Sequence, residues 1–228
     1  MTHASPLRKP RRLAHSARGL ALIAAFVVGG AAGLLAAEPA SAFPTPSVAP
    51  IAWEIDLKYR HPRRMVVESS QGPRAYWYML YTVTNNSDAE LFFVPAIEML
   101  TEDGRVIPAN RNIPRAVFNA IASRTRSMDL TLPQDMSAKL LVGEDQARSS
   151  VAIWEEPSAE MGTFDIFFGG LSGEIVVLTD AKGEPLKDPD GNPIRVRKTR
   201  QLRYKIRGDD VRPEIDELVP LLDTWVMR

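Results

Sequence analysis

The sequence predicts a mainly β protein: an antiparallel sandwich with peripheral helices at about 113–124 and 213–227. Three observations carry this prediction. Short apolar runs alternate with turn residues roughly every ten positions, the spacing of sandwich strands. The clearest run, AYWYMLYTVT (Ala75–Thr84), is apolar on both faces, as a strand in the middle of a sheet must be. Only two segments place apolar residues at helical spacing. Composition agrees with a packed domain, since 45% hydrophobic and 25% charged residues exclude a disordered chain. The chain has no cysteine, which excludes disulfide scaffolds, thiolate zinc sites, cysteine nucleophiles and a lipid anchor on cysteine.

Residues 1–42 read as a signal peptide. Arg8, Lys9, Arg11, Arg12 and Arg18 precede the uncharged stretch Gly19–Ala37, and the small residues Ala40 and Ala42 suit a signal peptidase cutting before Phe43. The alternative is an uncleaved membrane anchor over 19–37, because at ~1.5 Å per residue such a stretch nearly crosses a ~30 Å hydrocarbon core. Arg11-Arg12 resembles a twin-arginine signal, but Pro10 and Leu13-Ala14-His15 depart from that motif, which favours the general export route. The neutral total of 28 bases and 28 acids hides a split. Residues 1–42 hold five bases and one acid, leaving 23 bases and 27 acids in 43–228, a net charge of −4. An exported, mildly acidic domain is not expected to bind nucleic acid.

The remaining elements follow in order. Residues 43–50 (FPTPSVAP) carry three prolines and read as an extended linker. Residues 51–228 then form a single domain, long enough to bury roughly 70% of its unfolded surface. In WEIDLKY, Trp53, Ile55, Leu57 and Tyr59 alternate with Glu54, Asp56 and Lys58, the pattern of a half-buried strand. HPRR is a turn, RMVVES a second strand, and the two-faced run Ala75–Thr84 a third, stopped by Asn85-Asn86-Ser87-Asp88. That stop is formally a glycosylation sequon and reads first as a plain turn. Asp103-Gly104 between ELFFVPAIEML and RVIPA predicts a hairpin, with Pro95 at an edge or a bulge. NIPRAVFNAIASR is a helix with Pro114 in its first turn and Val117 and Ile121 on one face. SAKLLVGEDQARSSVAIWEEP reads as strand, turn, strand; TFDIFFGGLSG and GEIVVLTD are further strands. AKGEPLKDPDGNP is a polar loop, and residues 194–207 form a basic strand or pair of strands. VRPEIDELVPLLDTWVMR reads as a helix kinked at Pro220, with Ile215, Leu218, Val219, Leu222, Trp225 and Val226 on one face. No internal repeat is read.

Three of these segments, AYWYMLYTVTNNSD, KLLVGEDQARSSVAIWEEP and FDIFFGGLSGE, together resemble strands of exported bacterial immunoglobulin-like domains, over roughly residues 51–178. The resemblance implies an immunoglobulin-like β-sandwich used for binding or surface architecture. It brings no catalytic residue.

Few groups in the sequence point to chemistry. The mature chain has one histidine, His61, beside Arg60, Arg63 and Arg64, which disfavour its protonated form; it reads as an exposed turn residue. One histidine without cysteine cannot build the common zinc sites. Gly170-Leu171-Ser172-Gly173-Glu174 fails the G-x-S-x-G elbow at its last position. No S-x-x-K, phosphate loop or dinucleotide fingerprint occurs, so no cofactor is expected. Glu54/Asp56 and Glu155-Glu156 are the carboxylate pairs a hydrolase would need. Asp188-Pro189-Asp190-Gly191-Asn192 reads as a tight turn, with a calcium loop as the alternative. The strongest polar feature is the basic run Arg195, Arg197, Lys198, Arg200, Arg203, Lys205 and Arg207. It either binds an anion, with Arg195, Arg197, Arg200, Arg203, Lys205 and Arg207 as the contacts, or pairs with Glu54, Asp56 or the acids of 209–217.

The expected function is a non-enzymatic exported interaction or structural domain of the cell envelope, whose partner is an unidentified protein or envelope polymer. Membrane contact is expected only if residues 1–42 stay attached. The alternatives are a carbohydrate or anionic-ligand binder using residues 194–207 or exposed Trp77 and Trp154, and a carboxylate-dependent hydrolase.

Overall fold

The computed structural model describes residues 43–69, 72–125, 128–157, 161–207 and 217–228. The expected signal peptide lies outside the described residues. In chain order the strands are β1 (Asp56–Tyr59), β2 (Arg63–Ser69), β3 (Gly72–Thr84), β4 (Leu91–Phe93), β5 (Ala96–Thr101) and β6 (Val106–Pro108), then β7 (Ala138–Leu140), β8 (Arg148–Glu155), β9 (Thr163–Gly169), β10 (Ile175–Val177), β11 (Arg195–Arg207) and β12 (Glu217–Met227). Helix α1 (Arg115–Arg124) is the one α-helix among the described residues.

β3 organises the fold. Side chains alternate along a strand, so Trp77, Met79, Tyr81 and Val83 face one way and Tyr76, Tyr78 and Leu80 the other. The first set packs with Ile97, Met99, Phe164, Ile166, Phe168, Leu202 and Tyr204 of a second sheet. The second set packs with Met65, Val151 and Ile153 and with Val117 and Ile121 of α1. The result is helix, sheet, sheet, and it explains why β3 has no polar face. Each such buried side chain contributes about 1.5–3 kcal/mol.

β1 and β2 pair with successive halves of one edge of β3, and β8 pairs with the other edge, all antiparallel. The second sheet runs β10-β11-β9-β5-β6, with β12 added on β11, also antiparallel. Asp103-Gly104 makes the expected β5–β6 hairpin, with Gly104 at φ +84. Pro95 neither bulges nor edges one strand. It separates β4, which pairs with β7 in a two-stranded ribbon, from β5 in the second sheet. Gly170 (φ +86) presses against this break, and a Cβ there would stand 2.2 Å from the Val94 carbonyl oxygen, so the position admits only glycine.

α1 matches the expected helix, with one difference. Pro114 precedes it in an extended conformation (φ −60, ψ 140) instead of opening its first turn. Arg124 in the last turn complements the helix dipole, and Thr125 closes the helix by donating its hydroxyl to the Ile121 carbonyl.

The second expected helix, about 213–227, is corrected by the structure. Residues 213–216 lie outside the described residues, and Glu217–Met227 is the long strand β12, paired with β11 from Arg207 to Lys198. Its apolar residues occupy both faces of a strand, a pattern that also satisfies helical spacing. Pro220 sets the difference. It cannot donate within a helix or a central strand but is tolerated on an outer one. The register accommodates it: Arg203 pairs with Leu222 and Tyr204 with Pro220, so Leu221 is an extra residue in a bulge.

The polar loop after β10 is ordered by a repeat that the sequence reading missed. Leu178–Pro185 (LTDAKGEP) and Leu186–Pro193 (LKDPDGNP) share the pattern L-x-D-x-x-G-x-P. In each copy the aspartate Oδ1 accepts two backbone N–H groups, those of Lys182 and Glu184 on Asp180 and those of Asp190 and Asn192 on Asp188. Both glycines take positive φ, +84 and +85. The N–H of Leu186 donates to Leu178, that of Ile194 to Leu186 and that of Leu178 to Ile194, a closed ring of three segments. The Asp188 turn is thus built by backbone donors on its carboxylate.

Candidate functional site

The basic strand is the natural starting point. β11 runs inside its sheet, with β9 on one side and β12 on the other from Arg200 to Lys205. Of the six residues expected to hold an anion, two are engaged in ion pairs. Arg203 makes a bidentate pair with Asp165 on β9 at 2.9 and 3.0 Å, and Arg200 pairs with Asp223 on β12. The hydrogen bond to Asp165, and then its charge, raise the Arg203 guanidinium above its usual value. Arg195, Arg197, Lys205 and Arg207 are exposed. They form two pairs at opposite ends of a 13-residue strand. Of the acids expected as partners, Glu54 does pair with this strand, through Lys198, whereas Asp56 accepts instead from the Asn86 amide.

Lys198 is the exception on β11, with a side chain only 2% exposed. Its Nζ lies 2.6 Å from Glu54 Oε1, 3.4 Å from Glu174 Oε2 and 2.8 Å from the Ser47 carbonyl, and 5.1 Å from the centre of the Trp225 ring. Glu174 also accepts the Ser47 N–H at 2.9 Å. Burial pushes the Glu174 carboxyl up, but the Ser47 N–H and the Lys198 ammonium outweigh it, and the group is held below its ordinary value. Among the described residues Glu174 Oε2 makes no hydrogen bond and meets the Lys198 ammonium in an ionic contact. Two carboxylates here share one ammonium and strap the 43–50 segment to the end of the sandwich. The ammonium offsets one of the two carboxylate charges, and Lys198 holds both acids in ionic contact.

The carboxylate pairs named from the sequence separate in the fold. Glu155 pairs with Arg74, while Glu156 takes a bidentate pair from Arg64 and the Trp77 indole N–H. Trp77 and Trp154 are core residues at 5% and 1% exposure, so neither offers the stacking face a sugar binder needs. The Trp154 N–H is satisfied by the Ile107 carbonyl. Ser172 is buried and accepts the Glu174 N–H, as a turn residue rather than a nucleophile.

His61 is exposed and lies between strands, as expected, and it has specific neighbours there. Tyr59 pairs with Tyr81 and Arg63 with Tyr78, so four steps along β1–β2 match three along β3. The extra residue is a bulge at Arg60-His61-Pro62, and such bulges re-aim side chains. The His61 ring packs edge-on to Tyr59 (5.9 Å) and Tyr204 (5.6 Å), and its Nδ1 lies 3.2 Å from the Tyr204 hydroxyl. Tyr59 donates to Asp223 at 2.9 Å. Burial, then the Asp223 carboxylate, push the Tyr59 phenol up to about 12, and burial raises Tyr204 as well. Both are neutral at ordinary pH. Asp223 orients Tyr59 and Arg200, not His61, so no relay from acid through imidazole to a hydroxyl is formed. The sequence places Tyr59 on a half-buried strand and does not point to its meeting with Tyr204 and Asp223. The one local signal was His61-Pro62 breaking an alternating strand.

A cavity of about 420 Å³ opens between the start of α1 and the β4–β5 break. Tyr81, Ile97 and Ile153 floor it, and Phe118 and Leu132 wall it. Among the described residues no group of three or more His, Cys, Asp or Glu is placed to hold a metal ion, and no helix is long and apolar enough to cross a membrane. No protein-family model, curated protein or solved structure matches the chain.

Proposed function

We propose that residues 43–228 are an exported, non-catalytic interaction domain of the cell envelope, built on an immunoglobulin-like sandwich. Two antiparallel sheets sharing one core support the sandwich class. The observation that carries the function is the β4–β7 ribbon. Phe93 and Leu140 point into the core at 1% exposure, while Phe92, Val94 and Leu141 stand in water at 66%, 50% and 41%. Phe92 lies opposite Lys139, and Leu141 follows on the same face. Exposed apolar side chains gathered on one ribbon mark an interaction surface. The acids and bases that chemistry would use are, by contrast, paired with one another. An anionic ligand on the basic strand is the weaker reading, because Arg200 and Arg203 give their charge to Asp223 and Asp165.

The test has two parts. The full chain, expressed with its own N-terminus, is expected in the envelope with Phe43 as its first residue by Edman sequencing; a persistent Met1 on membrane-extracted protein overturns cleavage in favour of an anchor over 19–37, and recovery of the chain only from the cytoplasm overturns the export reading. A photocrosslinker at position 92 is expected to give one discrete adduct, which Leu141→Ser weakens without moving the melting temperature. Equal crosslinking from position 205, or turnover of any glycoside or ester by the purified chain, overturns the interaction reading.

A further inference from the structure

We propose that the cavity at the start of α1 binds a small organic carboxylate with an apolar body. Its volume, about 420 Å³, falls within the range of sites that enclose small organic ligands. Tyr81, Ile97, Ile113, Phe118, Leu132 and Ile153 give it an apolar body together with Pro95, Pro114 and Pro133, and Asn110, Gln134 and Ser137 add neutral polar groups to the lining. Arg115 is the one charged side chain among the lining residues, and it is exposed at the rim. A single guanidinium with no acid beside it suits one planar carboxylate, which it can hold through two parallel N–H bonds.

The site is also held in shape before any ligand arrives. Asn110 and Asn112 occupy the left-handed region, at φ +62 and +58, which asparagine enters more readily than other non-glycine residues. Two hydrogen bonds hold Asn110 in place. The Asn110 N–H donates to the Ile153 carbonyl and its Oδ1 accepts the Ile153 N–H at 3.0 Å, pinning the loop to β8. Proline at three rim positions restricts the backbone further. Preorganisation of this kind lowers the ordering cost of binding.

The test uses octanoate and 4-phenylbutyrate, with octanamide as the neutral control, on the purified chain from Phe43. Methyl resonances of Ile97 and Ile153 report occupancy. Both carboxylates are expected to shift these methyls saturably, octanamide to bind about tenfold more weakly, and Arg115→Gln to lose a similar factor for the carboxylates alone. Leu132→Trp, which fills the space, is expected to abolish the shifts while leaving the fold intact by circular dichroism. Failure of both carboxylates to shift the methyls overturns the site. Equal binding of octanamide, or unchanged octanoate affinity in Arg115→Gln, overturns the anion class. None of these outcomes bears on the Phe92 ribbon, whose crosslinking is read separately.

Discussion

Lys198 and Arg200 lie two residues apart on β11 and share the ring of Trp225, at 5.1 and 5.2 Å. They belong to opposite electrostatic regimes. Lys198 is sealed at 2% exposure between Glu54 and Glu174, whereas Arg200 and its partner Asp223 are 29% and 39% exposed. A buried ion group draws its strength from complete pairing, because removing one member strands the others without water. A seam pair is screened and exchanges readily with solvent. One basic run therefore divides into a structural rivet and an adjustable contact, and the division is set by depth, not by residue type.

The largest effect is expected from Lys198→Met, which leaves Glu54 and Glu174 facing each other. Stability should fall by about 3–5 kcal/mol in urea unfolding, and adding Glu174→Gln should recover part of it. A loss below about 1 kcal/mol would put Lys198 in the same class as surface pairs. Trp225→Ala should come next, at about 2 kcal/mol, since it uncovers both cations and removes half-buried apolar area.

The pH dependence sharpens the contrast from both sides. Glu174 is held below its ordinary 4.5, so its contribution is complete above that value and is lost as pH falls through the lower folded value. Tyr59 is raised from 10 to about 12, so its contribution is complete below 10 and is lost as pH rises toward 12. Absorbance at 295 nm should show Tyr59 and Tyr81 ionising near 12 rather than near 10. Tyr59→Phe should cost about 1 kcal/mol at neutral pH and weaken the alkaline loss of stability. The smallest effect is expected from Arg200→Gln, at about 0.5 kcal/mol and vanishing in high salt. A salt-insensitive loss as large as that of Lys198→Met would erase the distinction.

Most of the sheet architecture was legible in the sequence, because local rules wrote it. Alternation along Ala75–Thr84 separated its two apolar faces, Asp103-Gly104 marked the hairpin, and Val117 with Ile121 marked α1. β12 was misread because an outer strand with apolar residues on both faces offers the same spacing as an amphipathic helix. Pro220 fits an outer strand as well as it fits a kinked helix. The octapeptide repeat at 178–193 is written in the sequence as L-x-D-x-x-G-x-P. The seam was not legible: Tyr59 meets Asp223 across 164 residues and His61 meets Tyr204 across 143, and no local pattern encodes contacts at that separation. Glu174 was hidden in part for the same reason, since its partner Ser47 lies 127 residues away.

The Leu221 bulge has a consequence for how the molecule behaves in a crowd. A free sheet margin is a template on which another chain can zip, and long apolar margins seed fibrils. On β12 that margin carries a proline, which offers no amide hydrogen, next to a residue out of step with its neighbours. A stranger's backbone laid along it would lose registration midway. The irregularity that gives this strand its helical spacing thus also interrupts the even backbone ladder on which such zipping depends.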